Sequence, residues 1–504
     1  MNSKNKTYKT LPDTIAAIDL GSNSFHMIIT KRKDDSVVVI DQLKETIRLG
    51  AGLDNKNHVT DEAMERVLAC LARFGERIKH IPSNGVRIVG TNTLRRASNS
   101  SEILNRAELL LGHSIEIVSG MEEARLIYLG VAHHVVKDNG RRMVIDIGGG
   151  STEIILGDRF EPIYIRSFEM GSAVISDTVF SNGKISPKRI RLAKLKAEAE
   201  LEPYAEHFKK LNWQDVIGAS GSIKSIQKVV SSMDWCTNGI SADSMEKIVK
   251  KLHQINHANE LDFKGLKSDR QPVFAGGVMV LKAIFDTFNI EHMSVSQGAL
   301  REGIIYDLID REEHQDTRST SIQEWMDRYA IDKIHAQAVT NTALDLFSQV
   351  ETNWQIDEIE YQRNLCWATN IHEIGLSISH SQSHKHAEYI IRNADLLGFS
   401  QDDQQILAVL VRSQRGNFPM ELFKSLKSAK KNKLKKIAII LRISILLTRS
   451  RNYKKLIIPT MTAKNKEITL TFSDNYLEQN PLTNLDLSKE QEILAKAGYL
   501  LDIN

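Results

Sequence analysis

The stretch Met143-Val-Ile-Asp-Ile-Gly-Gly-Gly-Ser-Thr-Glu153 sets two carboxylates, Asp146 and Glu153, on either side of a run of small residues. Apolar Met143 to Ile145 predict a buried strand that stops at Asp146, and Gly148, Gly149 and Gly150 let the chain turn back with no Cβ in the way. Such a turn, leading into Ser151 and Thr152, can aim amide N–H groups at an anion. The Asp146 carboxylate would meet that anion most simply through a divalent cation. Glu153 opens a second strand, Ile154 to Leu156, which makes the unit a β-hairpin around a polar pocket. One glycine run is a weak signal, since many are plain turns. The pattern occurs twice, however: Ile15-Ala-Ala-Ile-Asp-Leu-Gly-Ser-Asn-Ser24 repeats the strand, the aspartate (Asp19) and a small polar turn of Gly21, Ser22, Asn23 and Ser24. Two copies of one phosphate-type hairpin predict two facing lobes with a cleft between them.

Other residues gain meaning from that cleft. Val86 to Val89 reads as a short strand leading into Gly90-Thr-Asn-Thr-Leu-Arg-Arg96, so Arg95 and Arg96 fall just past a strand end, where α/β folds bind ligands. They are either a solvated pair or, for one of them, an anion clamp. Ser119-Gly-Met-Glu-Glu-Ala-Arg125 starts a helix with Ser119 as N-cap and Glu122 three residues on, a capping box that folds the Glu122 side chain back on the cap. Glu123 is then either an ordinary first-turn carboxylate, favoured by the helix dipole, or a general base beside the cleft. Val216-Ile-Gly-Ala-Ser-Gly-Ser-Ile-Lys224 reads as strand, turn and a helix from Ile223, a setting in which Gly221 and its neighbours suit a phosphate or ribose. Neither a GxxxxGK[ST] loop nor a strand-linked GxGxxG is present, which excludes the Walker and dinucleotide readings. Ala275-Gly-Gly277 is expected to precede an apolar helix.

The chain that must position these residues has 504 of them, 41% hydrophobic and 26% charged, with a net charge of +3. This is ordinary globular composition, long enough for three or four domains, and any basic surface must be local. Cys70, Cys236 and Cys366 are isolated, which argues against a disulfide framework and fits a reducing, cytoplasmic setting. The polar, lysine-bearing start is expected to be a loose tail rather than a signal peptide. The apolar run Ile437 to Leu447 is too short to span a bilayer and contains Arg442. Beyond residue 310 the pattern turns helical and carries His335, His372, His384 and His386. Seven lysines lie between Lys424 and Lys436 with no acid among them. Such a run is either a solvated face or a track for a long polyanion. No aromatic residues are interleaved with the lysines, so nucleic acid is not an expected partner.

These motifs resemble those of the exopolyphosphatase and guanosine pentaphosphate phosphohydrolase (Ppx/GppA) family. The resemblance is carried by Ala17 to His26, Gly90 to Arg95, Ser119 to Arg125, Asp146 to Glu153, Gly218 to Gly221 and Gly298-Ala-Leu-Arg-Glu-Gly303. It implies an α/β protein with duplicated actin-like lobes (sugar-kinase superfamily), a helical HD-like domain and a small α+β domain. The boundaries expected are a tail at 1–13, lobes at 14–126 and 127–311, the HD-like domain at 312–419 and the last domain at 420–504. It further implies a phosphoanhydride hydrolase. Glu123 would be its general base. Asp19, Asp146 and Glu153 would hold Mg²⁺ and the attacking water. Arg95, Arg301 and the loops at 21–24, 148–152 and 221 would hold phosphates. Exopolyphosphatase, releasing orthophosphate from inorganic polyphosphate, is the leading expectation. The alternatives are a phosphohydrolase of guanosine pentaphosphate and a protein that binds guanosine penta- or tetraphosphate without turnover. A homodimer with at most peripheral membrane association is also implied. Glu373 stands where an HD site has aspartate, and Ser413-Gln414-Arg415 stands where relatives read Tyr-His-Arg, so the HD-like domain is expected to be structural and metal-free.

Overall fold

The computed structural model describes residues 11–33, 36–135, 140–311, 316–427, 430–453, 456–473 and 475–504. Most of the expected tail and the expected boundary at 311/312 lie outside the described residues. Residues 9–315 and 316–504 belong to separate compact units.

The first unit holds two sheets. One runs β3-β2-β1-β4-β5, from β1 (Thr14–Leu20), β2 (Ser24–Lys33), β3 (Ser36–Thr46), β4 (Val86–Gly90) and β5 (Ile115–Ile117). The other runs β10-β11-β9-β6-β7-β8, from β6 (Arg141–Ile147), β7 (Thr152–Asp158), β8 (Glu161–Phe168), β9 (Asp215–Ala219), β10 (Ile240–Ser241) and β11 (His292–Val295). In each, an antiparallel pair opens the sheet (β1 with β2, β6 with β7) and a later strand (β4, β9) runs parallel to the first. The order of the first sheet, from its third strand through its first to its two later parallel strands, recurs in the second. This is the duplicated α/β architecture expected from the paired hairpins, of the actin-like class that the resemblance implies. The central strands are buried on both faces, as their near-continuous apolar runs require.

Two helices depart from the expected lobe boundaries. Gly120–Ala132, capped by the Ser119 hydroxyl, runs through residue 126 and packs on β6, β7 and β8. Leu300–Asp310 packs on that helix and on β1, β2 and β4 of the first sheet. The crossing is close because Gly130 and Gly303 meet there: a Cβ on Gly303 would run into the Leu126 carbonyl. A buried ion network fixes the same junction, in which Asp307 takes both Arg87 of β4 and Arg125 of the helix. Gly276 and Gly277 do not form a turn. They lie inside the helix Gln271–Phe288, where a Cβ on Gly276 would meet the Ser172 carbonyl of the neighbouring helix.

In the second unit the expected division at 419/420 is absent. One hydrophobic core runs from Ile322 to Leu501. Its centre is the helix Lys431–Thr448, packed by the helices Lys333–Val350, Ile359–Ile371 and Gln401–Ser413. Arg442 interrupts that helix's apolar sequence at 2% exposure because Glu490 of the helix Pro481–Lys496 meets it inside the core. A small sheet of β12 (Thr460–Lys464), β13 (Glu467–Thr471) and β14 (Leu500–Ile503) completes the unit. Among the described residues no helix is long and apolar enough to cross a membrane.

Candidate active site

Both hairpin turns are held largely by their carbonyls, leaving two amides at the tip of each without a protein acceptor among the described residues. In the first, the Asn23 carbonyl accepts from the N–H groups of Ile47 (3.0 Å) and Arg48 (2.8 Å), and the Ser22 carbonyl accepts from Gly50 N–H (2.9 Å). In the second, the carbonyls of Gly148 and Gly149 accept from Ser172 N–H (2.9 Å) and Ala173 N–H (3.0 Å), at the start of the helix Ser172–Val179. Gly171 permits this docking, since a Cβ there would strike the Gly149 carbonyl. Among the described residues the N–H groups of Ser22, Asn23, Gly149 and Gly150 have no protein acceptor. Four such donors on facing turns form an anion cradle.

These turns line one cleft of about 250 Å³. It gathers most of the residues named from the sequence: Gly21, Ser22, Asn23, Ser24, Gly148, Gly149, Gly150, Ser151, Gly221, Arg301, Asp19, Asp146 and Glu123. Three fall outside its lining. Thr152 is fully buried and its hydroxyl donates to the Met170 carbonyl, so it serves the β7 fold rather than a ligand. Glu153 pairs with Asp146 across β6 and β7 and lies one layer back, accepting from the Ser167 hydroxyl at 2.8 Å. Arg95 is engaged within the protein: its guanidinium donates to the Val118 carbonyl (2.7 Å) and to Glu123 Oε2 (3.0 Å). Arg96 reaches Asn57 instead.

Only half of the expected capping box forms. The Ser119 hydroxyl accepts from Glu122 N–H at 3.1 Å, but the Glu122 carboxylate takes Arg125 in two bonds of 2.8 Å, because that buried guanidinium needs a counter-charge. Glu122 is therefore structural, and Glu123, 8% exposed, is the one that faces the cleft.

Asp19, Glu123, Asp146 and Glu153 gather acid charge at one end. Burial, and then repulsion by Glu123 and Asp19, push the Asp146 carboxyl up to about 7. Burial raises Glu123 as well, against the opposing pull of Arg95. Glu153 is raised by burial and by Glu123 and Asp146. Asp19 Oδ2 lies 3.2 Å from His26 Nδ1, while its Oδ1 is buried with no hydrogen-bond partner. An all-oxygen donor set with an orphaned carboxylate oxygen and mutual repulsion among its members fits a hard divalent cation.

The cleft is also lined by basic side chains, two of them outside the motifs quoted above. Lys44 of β3, Lys224 and Arg270 join Arg301 there. Burial and then Arg270 push the Lys44 ammonium below its usual range. The Arg270 guanidinium lies directly over Gly221, where a Cβ would meet it. Ser220, at φ 80°, takes a left-handed conformation to start the helix Ser220–Ser232 beside it, a strain of about 1–3 kcal/mol of the kind found at functional sites. Lys44 and Arg270 carry no motif. Lys224 lies at the end of the Gly/Ser stretch quoted above, one turn into the helix that follows it. The whole arrangement offers a general base, a cation site, amide donors for one phosphoryl group and a basic wall for further phosphates.

Residues 28–312 match the Ppx/GppA phosphatase family and residues 317–491 match Ppx/GppA phosphatase, domain III. A guanosine-5'-triphosphate,3'-diphosphate pyrophosphatase of Aliivibrio fischeri (strain MJ11) is 36% identical over 98% of this chain and 99% of its own length. One of the same name from Aeromonas hydrophila is 35% identical over 96% and 97%. Among solved structures, an exopolyphosphatase from Cytophaga hutchinsonii covers 59% of this chain and 98% of its own, with a TM-score of 0.54 and 24% identity, a likeness of fold alone.

Proposed function

Since the chain belongs to the Ppx/GppA phosphatase family, whose members hydrolyse phosphoanhydrides, we propose that it removes the terminal phosphoryl group of guanosine 5'-triphosphate 3'-diphosphate, yielding the tetraphosphate and orthophosphate. Relatives named guanosine-5'-triphosphate,3'-diphosphate pyrophosphatase match it nearly end to end, which supports that substrate. The observation that carries the choice over inorganic polyphosphate, the substrate put first by sequence, is the state of the lysine run. Lys424 pairs with Glu421 (2.8 Å), Lys427 with Asp402 (3.0 Å), Lys430 with Glu360 (2.6 Å) and Lys433 with Glu358 (2.6 Å). A track for a long polyanion needs cations whose counterions are mobile, and four of the seven lysines already have a carboxylate partner. A compact nucleotide, by contrast, needs only the cleft.

In this reading the terminal phosphoryl oxygens take the amides of the two turns. The other phosphates lie along Lys44, Lys224, Arg270 and Arg301. Glu123, held in place by Arg95 and raised by burial, accepts a proton from the water that attacks phosphorus in line. The bridging P–O bond breaks and its electron pair leaves with the nucleotide. Asp19 and Asp146, with Glu153 behind them, would hold Mg²⁺, which when bound supplies positive charge to the non-bridging oxygens. The products test the proposal: guanosine pentaphosphate incubated with Mg²⁺ should yield tetraphosphate and orthophosphate in equal amounts. Release of pyrophosphate, or no release, would refute it.

A further inference from the structure

In the second unit, the first turn of the helix Lys333–Val350 and the end of the helix Ile359–Ile371 bring His335, His372 and Glu373 together. One ligand atom from each lies within 4.8 Å of the others. The two imidazoles are 4% and 3% exposed, and all three residues line a cavity of about 400 Å³. Each ring is anchored through Nδ1, His372 to the Thr369 carbonyl at 2.6 Å and His335 to the Tyr453 hydroxyl at 3.0 Å. A carbonyl can only accept, so His372 carries its proton on Nδ1 and presents Nε2 as a bare lone pair. His335 Nε2 stands 3.9 Å from Glu373 Oε1, beyond hydrogen-bond range. Ring nitrogens fixed from behind in this way are how protein imidazoles are oriented toward a metal.

The positive charge now at this point is a side chain. Arg451 donates to Glu373 Oε1 at 2.6 Å and also binds Asp332. The sequence expectation of a metal-free domain rested on Glu373 in place of aspartate and on Gln414. The longer glutamate still reaches the two rings, and Gln414 is occupied otherwise, donating to the His372 carbonyl at 2.7 Å.

We propose that His335, His372 and Glu373 bind a divalent transition cation of the zinc type, and that Arg451 is a competing internal cation that holds Glu373 when the metal is away. Two imidazole nitrogens and one carboxylate oxygen suit zinc, cobalt or nickel and not magnesium, which takes oxygen ligands. Three protein ligands leave a fourth position toward the cavity, open to water or a small anion. The site is chemically distinct from the all-oxygen set of the cleft.

The test is calorimetric titration of Zn²⁺ into the full-length, chelator-stripped chain with Mg²⁺ in excess. One zinc per chain is expected to bind, and Asp146→Asn should leave it in place. His335→Ala and Glu373→Gln should each weaken it by about tenfold or more. Arg451→Ala should tighten it, since the competitor is gone. A purely structural role for Arg451, which clasps two carboxylates, gives the opposite sign. Should His335→Ala fail to fold, Glu373→Gln and Arg451→Ala, both nearer the surface, still decide. Zinc binding that is absent, that is unchanged by Glu373→Gln, that weakens in Arg451→Ala, or that disappears with Asp146→Asn would overturn the proposal.

Discussion

Glu122 and Glu123 are adjacent carboxylates at one helix start, yet they have opposite duties. Glu122 faces Arg125 in a dry ion network, whereas Glu123 faces the cleft with Arg95 at 3.0 Å. Glu123→Gln keeps the shape and removes the base, so kcat should fall by about 10²–10⁴-fold with KM little changed. Glu122→Gln should instead lower the melting temperature by weakening a buried pair, with kcat near wild type in the surviving fold. A swap of the two phenotypes would reassign the base. Asp146 gives a pH prediction. Its folded pKa, about 7 without a cation, lies above the ordinary carboxylate value. Its contribution to stability is therefore fully present below the unfolded pKa and lost as pH rises through about 7, so metal-free protein should melt lower at about pH 8 than at about pH 5. Mg²⁺ reverses the penalty by favouring the ionised form. Protons and Mg²⁺ then compete, and the Mg²⁺ concentration for half-maximal rate should fall steadily from about pH 6 to about pH 8. A Mg²⁺ requirement that does not move with pH would contradict this placement. At this scale the acids and small-residue turns were legible, because one pattern of strand, aspartate and glycine occurs twice. Lys44 and Arg270 were not, since one stands on an ordinary alternating strand and the other in a polar loop, and only the folded chain brings them to one wall.

The helix that carries Glu123 is placed by another helix, Leu300–Asp310, across the contact of Gly130 with Gly303. Gly303→Ala would push the two backbones apart. We expect a loss of about 1–3 kcal/mol of stability by overpacking, together with a fall in kcat as Glu123 shifts from its aim. A variant that melts lower but turns over normally would mean the crossing supports the fold and not the site. This contact explains where reading by element fell short. Gly276 and Gly277, expected to precede an apolar helix, lie inside it, and Gly276 serves close approach there, since a Cβ on it would meet the Ser172 carbonyl. The expected lobe boundary near residue 126 falls inside the helix Gly120–Ala132, which packs on the second sheet, and no change of composition marks a division there. Strands and their order were far more legible, since buried central strands read as apolar runs bounded by Gly, Ser and Asp.

Across the whole molecule, the question is which polyphosphate the chain is built for. The lysine run was conspicuous in sequence as an unopposed block of charge, but its acids come from 358, 360 and 402, on segments far away in the chain that the fold brings alongside. Pairing over such distances is invisible to local reading. Neutralising Lys427, Lys430 and Lys433 to glutamine should therefore leave the salt dependence of hydrolysis unchanged for long polyphosphate and guanosine pentaphosphate alike, with any cost appearing in the melting temperature. The most direct test of the substrate assignment is kcat/KM for guanosine pentaphosphate and for long-chain polyphosphate, measured side by side on one Mg²⁺-loaded preparation. The cleft described here predicts a preference for the nucleotide of about tenfold or more, the scale of one well-made set of charged contacts. An equal or greater kcat/KM for the long chain would contradict it.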